Sequence, residues 1–299
     1  MQVRRQLAAL VLLAVCADAS AQSRETTHAG PCPADAGWND PARPAHLFGN
    51  TWYVGTCGIS AILVTTREGH VLIDAATEKA APMIEANMRA LGFRIEDIKY
   101  ILGSHEHLDH AGGMARLQKD SGATVVASAA AATTLARGTN DRSDPQFGVL
   151  GDFPPVSSIR RIEDGDTLSL GELVLTAHAT PAHTPGSTSW TWKSCESGDC
   201  RNMVYADSLT AVSANDYRFS DEQAHPGVVA RFRTTFNIVA QLPCDILMTP
   251  HPGASDLMAR LGPAATKPLV DSAACKRYAA DASARLDARL AKERSTALP

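Results

Sequence analysis

Residues 101–113, ILGSHEHLDHAGG, place three histidines and two acids in six positions directly behind an apolar run. A chain that buries such a strand and ends it in this cluster must fold with the polar loop at the edge of a sheet, because unpaired charge in the core is costly. In an extended or turning segment His105 and His107 point the same way, whereas Asp109 and His110 fall past the bend and face a neighbouring point. Two groups of ligands for two nearby metal ions follow. Imidazole and carboxylate are what zinc takes in catalytic sites, while structural zinc favours cysteine. Glu106, between the two histidines, should point away by alternation and is not expected to be a ligand.

One loop cannot complete a catalytic zinc site, so the other donors must come from other strand ends. TPAHTPGSTSW puts His183 in a turn rich in Pro and Gly between two strands, and LMTPHPGAS puts His251 straight after another. Each stands between prolines that stiffen its backbone. His178 alternates with apolar neighbours in LTAHAT and reads as a packed strand residue. His28, His46, His70 and His225 read as structural or surface residues.

Runs rich in β-branched and aromatic residues, NTWYVGTCGISAILVTT and GHVLIDAA, predict three strands. EKAAPMIEANMRALGF has helical spacing and stops at Gly92. IKYILGS is a short buried strand, and after the histidine loop the helices GGMARLQKDSG and ASAAAATTLARG flank the strand ATVVA. Residues 138–158 form a long loop with three prolines, and a loop of that length marks a candidate lid. Strands at SSIRRI, DTLSL, LVLTAHA, STSWTWKS and NMVYAD follow, then the helix GVVARFRTTFNIVAQL, the strand CDILMTP and two closing helices. Strands then helices, twice over, predict an α/β (α+β) chain folded as an αββα sandwich.

The first residues, MQVRRQLAALVLLAVCADASAQS, carry Arg4 and Arg5, an apolar run from Leu7 to Val15, and Ala19-Ser20-Ala21. That is the pattern of a signal peptide cleaved after residue 21, with a run too short for a membrane span. Lipid attachment at Cys16 would need a small residue where Val15 stands. Export to the periplasm is expected, with residues 22–48 as an N-terminal arm and residues 49–299 as a single domain. Cleavage leaves Cys32, Cys57, Cys195, Cys200, Cys244 and Cys275, an even set that argues for disulfides. Fifteen pairings exist on paper. Spacing suggests Cys195 with Cys200, Cys32 with Cys57, and Cys244 with Cys275. A net charge of -4 offers no electrostatic case for nucleic acid.

The pattern His105-x-His107-x-Asp109-His110, completed by His183 and His251, resembles the metallo-β-lactamase superfamily, over roughly residues 32–295. HTPGSTSWTW, VYADSLTA, LPCDILMTPHPGAS and ACKRYA resemble the third subclass of the class B β-lactamases. The first subclass carries a cysteine ligand in the segment where this chain has Ser208. The six-cysteine layout and GNTWYVGTCGISAILVT resemble a branch with three disulfides, in agreement with the pairing suggested by spacing.

The resemblance implies the metallo-β-lactamase fold and a monomer that holds two zinc ions. One sits on His105, His107 and His183; the other sits on Asp109, His110 and His251. It implies hydrolysis of the β-lactam amide of penicillins, cephalosporins and carbapenems by a metal-bound hydroxide, with Asp109 both a ligand and the orienter of the nucleophile. Ser208 and Thr210 are candidates to hold the substrate carboxylate, and Gln146, Phe147 and Tyr217 to line the cleft. Superfamily members carry an acid at Asp74, which is expected to hold the outer nitrogen of a ligand ring. The nearest rival is a thioesterase or lactonase on the same scaffold. Those enzymes use a bridging aspartate from the segment where this chain has Asp207.

Overall fold

The structure is a computed structural model that describes residues 32–33 and 35–295. The signal-peptide reading, Cys16 and His28 lie outside the described residues.

Seven strands lie side by side in chain order in one sheet: β1 (Ala45–Phe48), β2 (Thr51–Tyr53), β3 (Ile62–Thr66), β4 (Gly69–Ile73), β5 (Ile98–Leu102), β6 (Thr124–Ser128) and β7 (Ile159–Ile162). The first four run antiparallel, and β4 to β7 run parallel. The second sheet contains β8 (Thr167–Leu170), β9 (Leu173–Ala179), β10 (Thr188–Glu196), β11 (Asp199–Tyr205) and β12 (Ile246–Met248), in the order β12-β11-β10-β9-β8.

Alternation along each strand assigns its side chains to layers. Ile62, Val64, Val71, Ile73, Leu102 and Val126 face the second sheet, where Leu175, Trp190, Trp192, Met203, Tyr205, Ile246 and Met248 meet them. The residues between them, Leu63, Leu72, Ile101 and Val125, face helices α1 (Ala81–Ala90), α3 (Met114–Ser121) and α4 (Ala129–Arg137). On the far side Val204 and Leu247 pack against α5 (Val228–Gln241) and α6 (Ala274–Ser295). Three apolar layers separate four layers of structure, which is the αββα sandwich expected. Strands β3 to β6 are apolar on both faces because both faces are covered.

Two expectations change. The arm does not end at residue 48: Ala45–Phe48 pairs with β2 as the edge strand β1, so the sheet begins inside it. The preceding prolines hide this short strand from a reading by composition. The chain also closes on one helix, not two. Residues before α6 form the 3-10 turns Pro252–Ser255 and Leu257–Arg260, because Pro252, Gly253 and Asp256, whose φ is 52°, interrupt any longer helix. The disulfides are Cys32–Cys57, Cys195–Cys200 and Cys244–Cys275. They pin the arm to the β2–β3 loop, cross the β10–β11 hairpin and tie the approach to β12 to α6.

Candidate metal centre

The site forms where β4, β5, β11 and β12 end, at the carboxyl edge of parallel strand pairs, where open sheets present their loops. After β5 the chain runs through His105 and His107 into a single helical turn, α2 (Leu108–Ala111), which turns Asp109 and His110 back toward the sheet. Glycines allow the exit. A Cβ on Gly113 would lie 2.2 Å from the Ala75 carbonyl oxygen, and one on Gly112 would lie 2.4 Å from that of Leu108. The loop is thereby packed against the end of β4, and the Ala75 N–H donates to the His110 carbonyl at 2.9 Å.

His105, His107 and His183 bring their rings together with centroids 4.8 to 5.0 Å apart. Each outer ring nitrogen has an acceptor. His105 Nδ1 donates to Asp207 Oδ1 at 2.7 Å, His107 Nε2 to Asp144 Oδ2 at 2.8 Å, and His183 Nδ1 to the Thr210 carbonyl at 2.9 Å. The partners assign the tautomers: the proton sits outside, and the lone pair of the other nitrogen points inward. His105 Nε2 is buried with no partner among the described residues. Three converging lone pairs repel one another, and a cation between them relieves the repulsion.

The second group is as compact. His110 Nε2 lies 3.1 Å from Asp109 Oδ2 and 3.3 Å from His251 Nε2, and His251 Nε2 lies 3.4 Å from Asp109 Oδ2. Zinc bound at 2.0–2.1 Å places its tetrahedral ligands about 3.3 Å apart. The donor triangle therefore fits a zinc ion without rearrangement. His105 also approaches Asp109 and His110 closely enough to join them, so the two groups are contiguous.

Burial, reinforced by the neighbouring imidazoles, holds the His105 pKa well below the usual imidazole value and lowers that of His183 to about 3. Burial and His110 lower His251 to about 4. These rings stay neutral near pH 7, the form that binds metal. Burial alone would raise the Asp109 pKa, but His110, His105 and His251 overcome it and the carboxylate stays ionised. This donor set is a metal-binding site.

Three comparisons with known proteins agree. The family model described as the metallo-beta-lactamase superfamily matches residues 54–196. Among solved structures, the Rm3 metallo-beta-lactamase is 50% identical, with a TM-score of 0.83 over 86% of this chain and 97% of that one. SMB-1, solved with 2-mercaptoethanesulfonate bound, is 49% identical, with a TM-score of 0.83 over 86% of this chain and all (100%) of that one. MEM-A1, a subclass B3 enzyme from a soil metagenome library, is 44% identical, with a TM-score of 0.83 over 87% and 100%.

The chain belongs to the metallo-β-lactamase superfamily. Among curated proteins it is 28% identical over 152 residues to a probable metallo-hydrolase of Burkholderia pseudomallei (strain 1710b), a match that spans 48% of that relative.

The remaining predicted residues of this metallo-β-lactamase fold divide by position. Asp74 lies 3.6 Å from His110 Nδ1 and accepts hydrogen bonds from the Ser104 N–H, the Ser104 hydroxyl and the Tyr205 hydroxyl; burial raises its pKa to about 6. Gln146 is buried, its Nε2 3.4 Å from His183 Nε2. Thr210 meets His183 through its carbonyl, and its hydroxyl lies 3.1 Å from the same ring nitrogen. Ser208 is buried beside Asp207, whose carboxylate its N–H meets. Phe147 is exposed under the Arg142 guanidinium, and Tyr217 stacks on His225 at 3.6 Å. The long loop is not detached like a lid, since Asp144 and Gln146 are built into the site.

Reading the sequence missed three residues that hold the donors. Asp144 braces His107, and Asp207 braces His105. Glu106 does point away from the metal group, but it accepts from the Thr184 hydroxyl at 2.8 Å and the Gly186 N–H at 3.0 Å. It thus ties the His105–His107 segment to the turn that carries His183. Asp207 was visible in part, as an acid at a strand end beside Ser208; Asp144 carried no local signal.

Proposed function

We propose that the chain is a periplasmic, monomeric β-lactamase with two zinc ions, acting on penicillins, cephalosporins and carbapenems and conferring resistance to them. The first zinc is held by His105, His107 and His183, and the second by Asp109, His110 and His251. The observation that carries this reading is the position of Asp207. Its Oδ1 accepts from the outer nitrogen of His105 at 2.7 Å, so Asp207 stands behind that ring, where a thioesterase or lactonase of this scaffold would use that segment's aspartate as a bridge. The 44–50% identity to solved metallo-β-lactamases over most of the chain supports the same choice.

Zinc at this site supplies a Lewis acid and lowers the pKa of a bound water to about 7. The protein's own contribution is orientation. Asp109, fixed between His110 and His251, orients the attacking water as well as completing its donor group. Ser208 and Thr210, on the segment after β11, hold the substrate carboxylate by hydrogen bonds, and Gln146 beside His183 lines the cleft with Phe147 and Tyr217. No protein nucleophile is required, and no covalent intermediate on the chain forms. Three disulfides in the described residues accord with an oxidising compartment. Among the described residues no helix is long and apolar enough to cross a membrane.

Turnover of nitrocefin, a carbapenem and a thioester by purified protein tests the assignment. Both lactams are expected to be hydrolysed. A chelator is expected to abolish turnover while the circular-dichroism signal of the fold persists, because the core and disulfides, not the metal, carry stability. Thioester turnover without lactam turnover overturns the reading.

A further inference from the structure

The loop between α4 and β7 is exposed on both flanks and buried in between. Arg142, Ser143, Phe147 and Val149 face solvent, whereas Asp144, Pro145 and Gln146 are buried. This three-residue peg reaches three other segments. Asp144 Oδ2 accepts from His107 Nε2 at 2.8 Å, the Pro145 carbonyl accepts from the Ala214 N–H at 2.8 Å, and Gln146 Nε2 lies 3.4 Å from His183 Nε2. The second oxygen of Asp144 turns the other way, accepting the Gln146 N–H at 2.8 Å, and the Asp144 carbonyl accepts the Phe147 N–H at 3.0 Å. One carboxylate is thus divided between a ligand ring and the backbone of the loop.

We propose that Asp144 is a positioning residue that couples the folding of this loop to metal occupancy at His105, His107 and His183. This rests on the ligand assignment proposed above. A metal on His107 Nδ1 obliges the ring proton to sit on Nε2, facing Asp144, and draws electron density from the ring, so that Nε2–H becomes a stronger donor. Without metal, Asp144 still accepts from His107 Nε2 at 2.8 Å, but the ring is not polarised and its N–H is the weaker donor, so the loop is held less firmly. Because linkage is reciprocal, whatever factor the metal contributes to the ordered loop, the ordered loop returns in metal affinity. The loop is then a wall set in place by the metal, and the Phe147 rim of the cleft is placed with it.

The test measures zinc affinity by competition with a chelating dye, and amide hydrogen exchange with and without zinc. The proteins are the wild type, Asp144→Ala, Asp144→Asn and Phe147→Ala. In the wild type, zinc is expected to slow exchange at Gln146, Phe147 and Ala214. Asp144→Ala is expected to weaken the first zinc about 10- to 100-fold and to remove the zinc-dependent part of that protection, with core amides of β5 and β10 unchanged. Asp144→Asn keeps one of the two acceptors and should fall between; it carries the test if Asp144→Ala does not fold. Phe147→Ala, in the same loop, should bind zinc as the wild type does. Wild-type affinity in Asp144→Ala with zinc protection intact overturns the coupling, as does an equal loss in Phe147→Ala. A wild type that takes up no zinc overturns the ligand assignment, and the coupling with it.

Discussion

His105, His107 and His183 each have an outer ring nitrogen bonded to an acceptor within 2.9 Å. In the second donor group, His110 Nδ1 stands 3.6 Å from Asp74, beyond hydrogen-bonding distance, and the His251 side chain, which hydrogen-bonds the Gly58 backbone, is 40% exposed. The donor triangle of the second group is no less compact than the first, so the difference lies in how firmly each ring is held. A ring already fixed in its tautomer and orientation loses less freedom when it binds a ligand. The first group should therefore take zinc first and hold it more tightly.

The contrast breaks most visibly when a ligand is removed from each side. His183→Ala is expected to lose the tighter zinc and to lower lactam turnover on the order of 10³-fold. His251→Ala should retain one zinc per chain. Metal content by atomic spectroscopy, alongside nitrocefin turnover, checks both; a His251→Ala protein empty of zinc would invert the ranking. A smaller effect comes from the acceptors. Asp207→Asn should weaken the first zinc by about 10- to 100-fold, whereas Asp74→Asn should weaken the second by only about threefold, because Asp74 is not within hydrogen-bonding distance of His110. Equal losses in a dye-competition titration would erase the distinction.

The smallest effect is on stability. Burial raises the Glu106 pKa to about 7 from the ordinary 4.5, so the folded chain favours the protonated acid. The stabilisation from that proton is complete below about pH 4.5 and is lost as pH rises through about 7. In metal-free protein, Glu106→Gln has no such dependence. Its melting temperature relative to wild type should therefore rise between pH 5 and pH 8 by several degrees, at about 2–4 °C per kcal/mol. A difference that stays constant across this range contradicts the buried-acid reading.

The donors could be read from the chain because their spacing is local. His105, His107, Asp109 and His110 share one loop, and His183 and His251 stand between prolines at strand ends. The layers could be read because β3 to β6 alternate or run apolar as their coverage demands. What holds the donors could not be read in the same way. Asp144 meets His107 across 37 residues, and Asp207 meets His105 across 102; such contacts belong to the fold as a whole. Glu106 was rightly set aside as a ligand, yet its role toward Thr184 and Gly186 depends on a turn 78 to 80 residues away. The region before α6 looked helical because LMAR and its neighbours have helical propensity, but local Pro, Gly and a positive-φ Asp256 outweigh it.

The two sheets are joined at the site by more than apolar packing. The Thr188 N–H on β10 donates to the Ser104 carbonyl at 2.7 Å, Trp190 Nε1 donates to the Gly103 carbonyl at 3.0 Å, and the Tyr205 hydroxyl on β11 reaches Asp74 at 2.8 Å. The loop that carries the first four donors is therefore suspended from the opposite half of the molecule. During synthesis the earliest donors emerge long before the strand that steadies them, and His251 comes near the end. A donor set drawn from both halves would be complete only once the two sheets have docked.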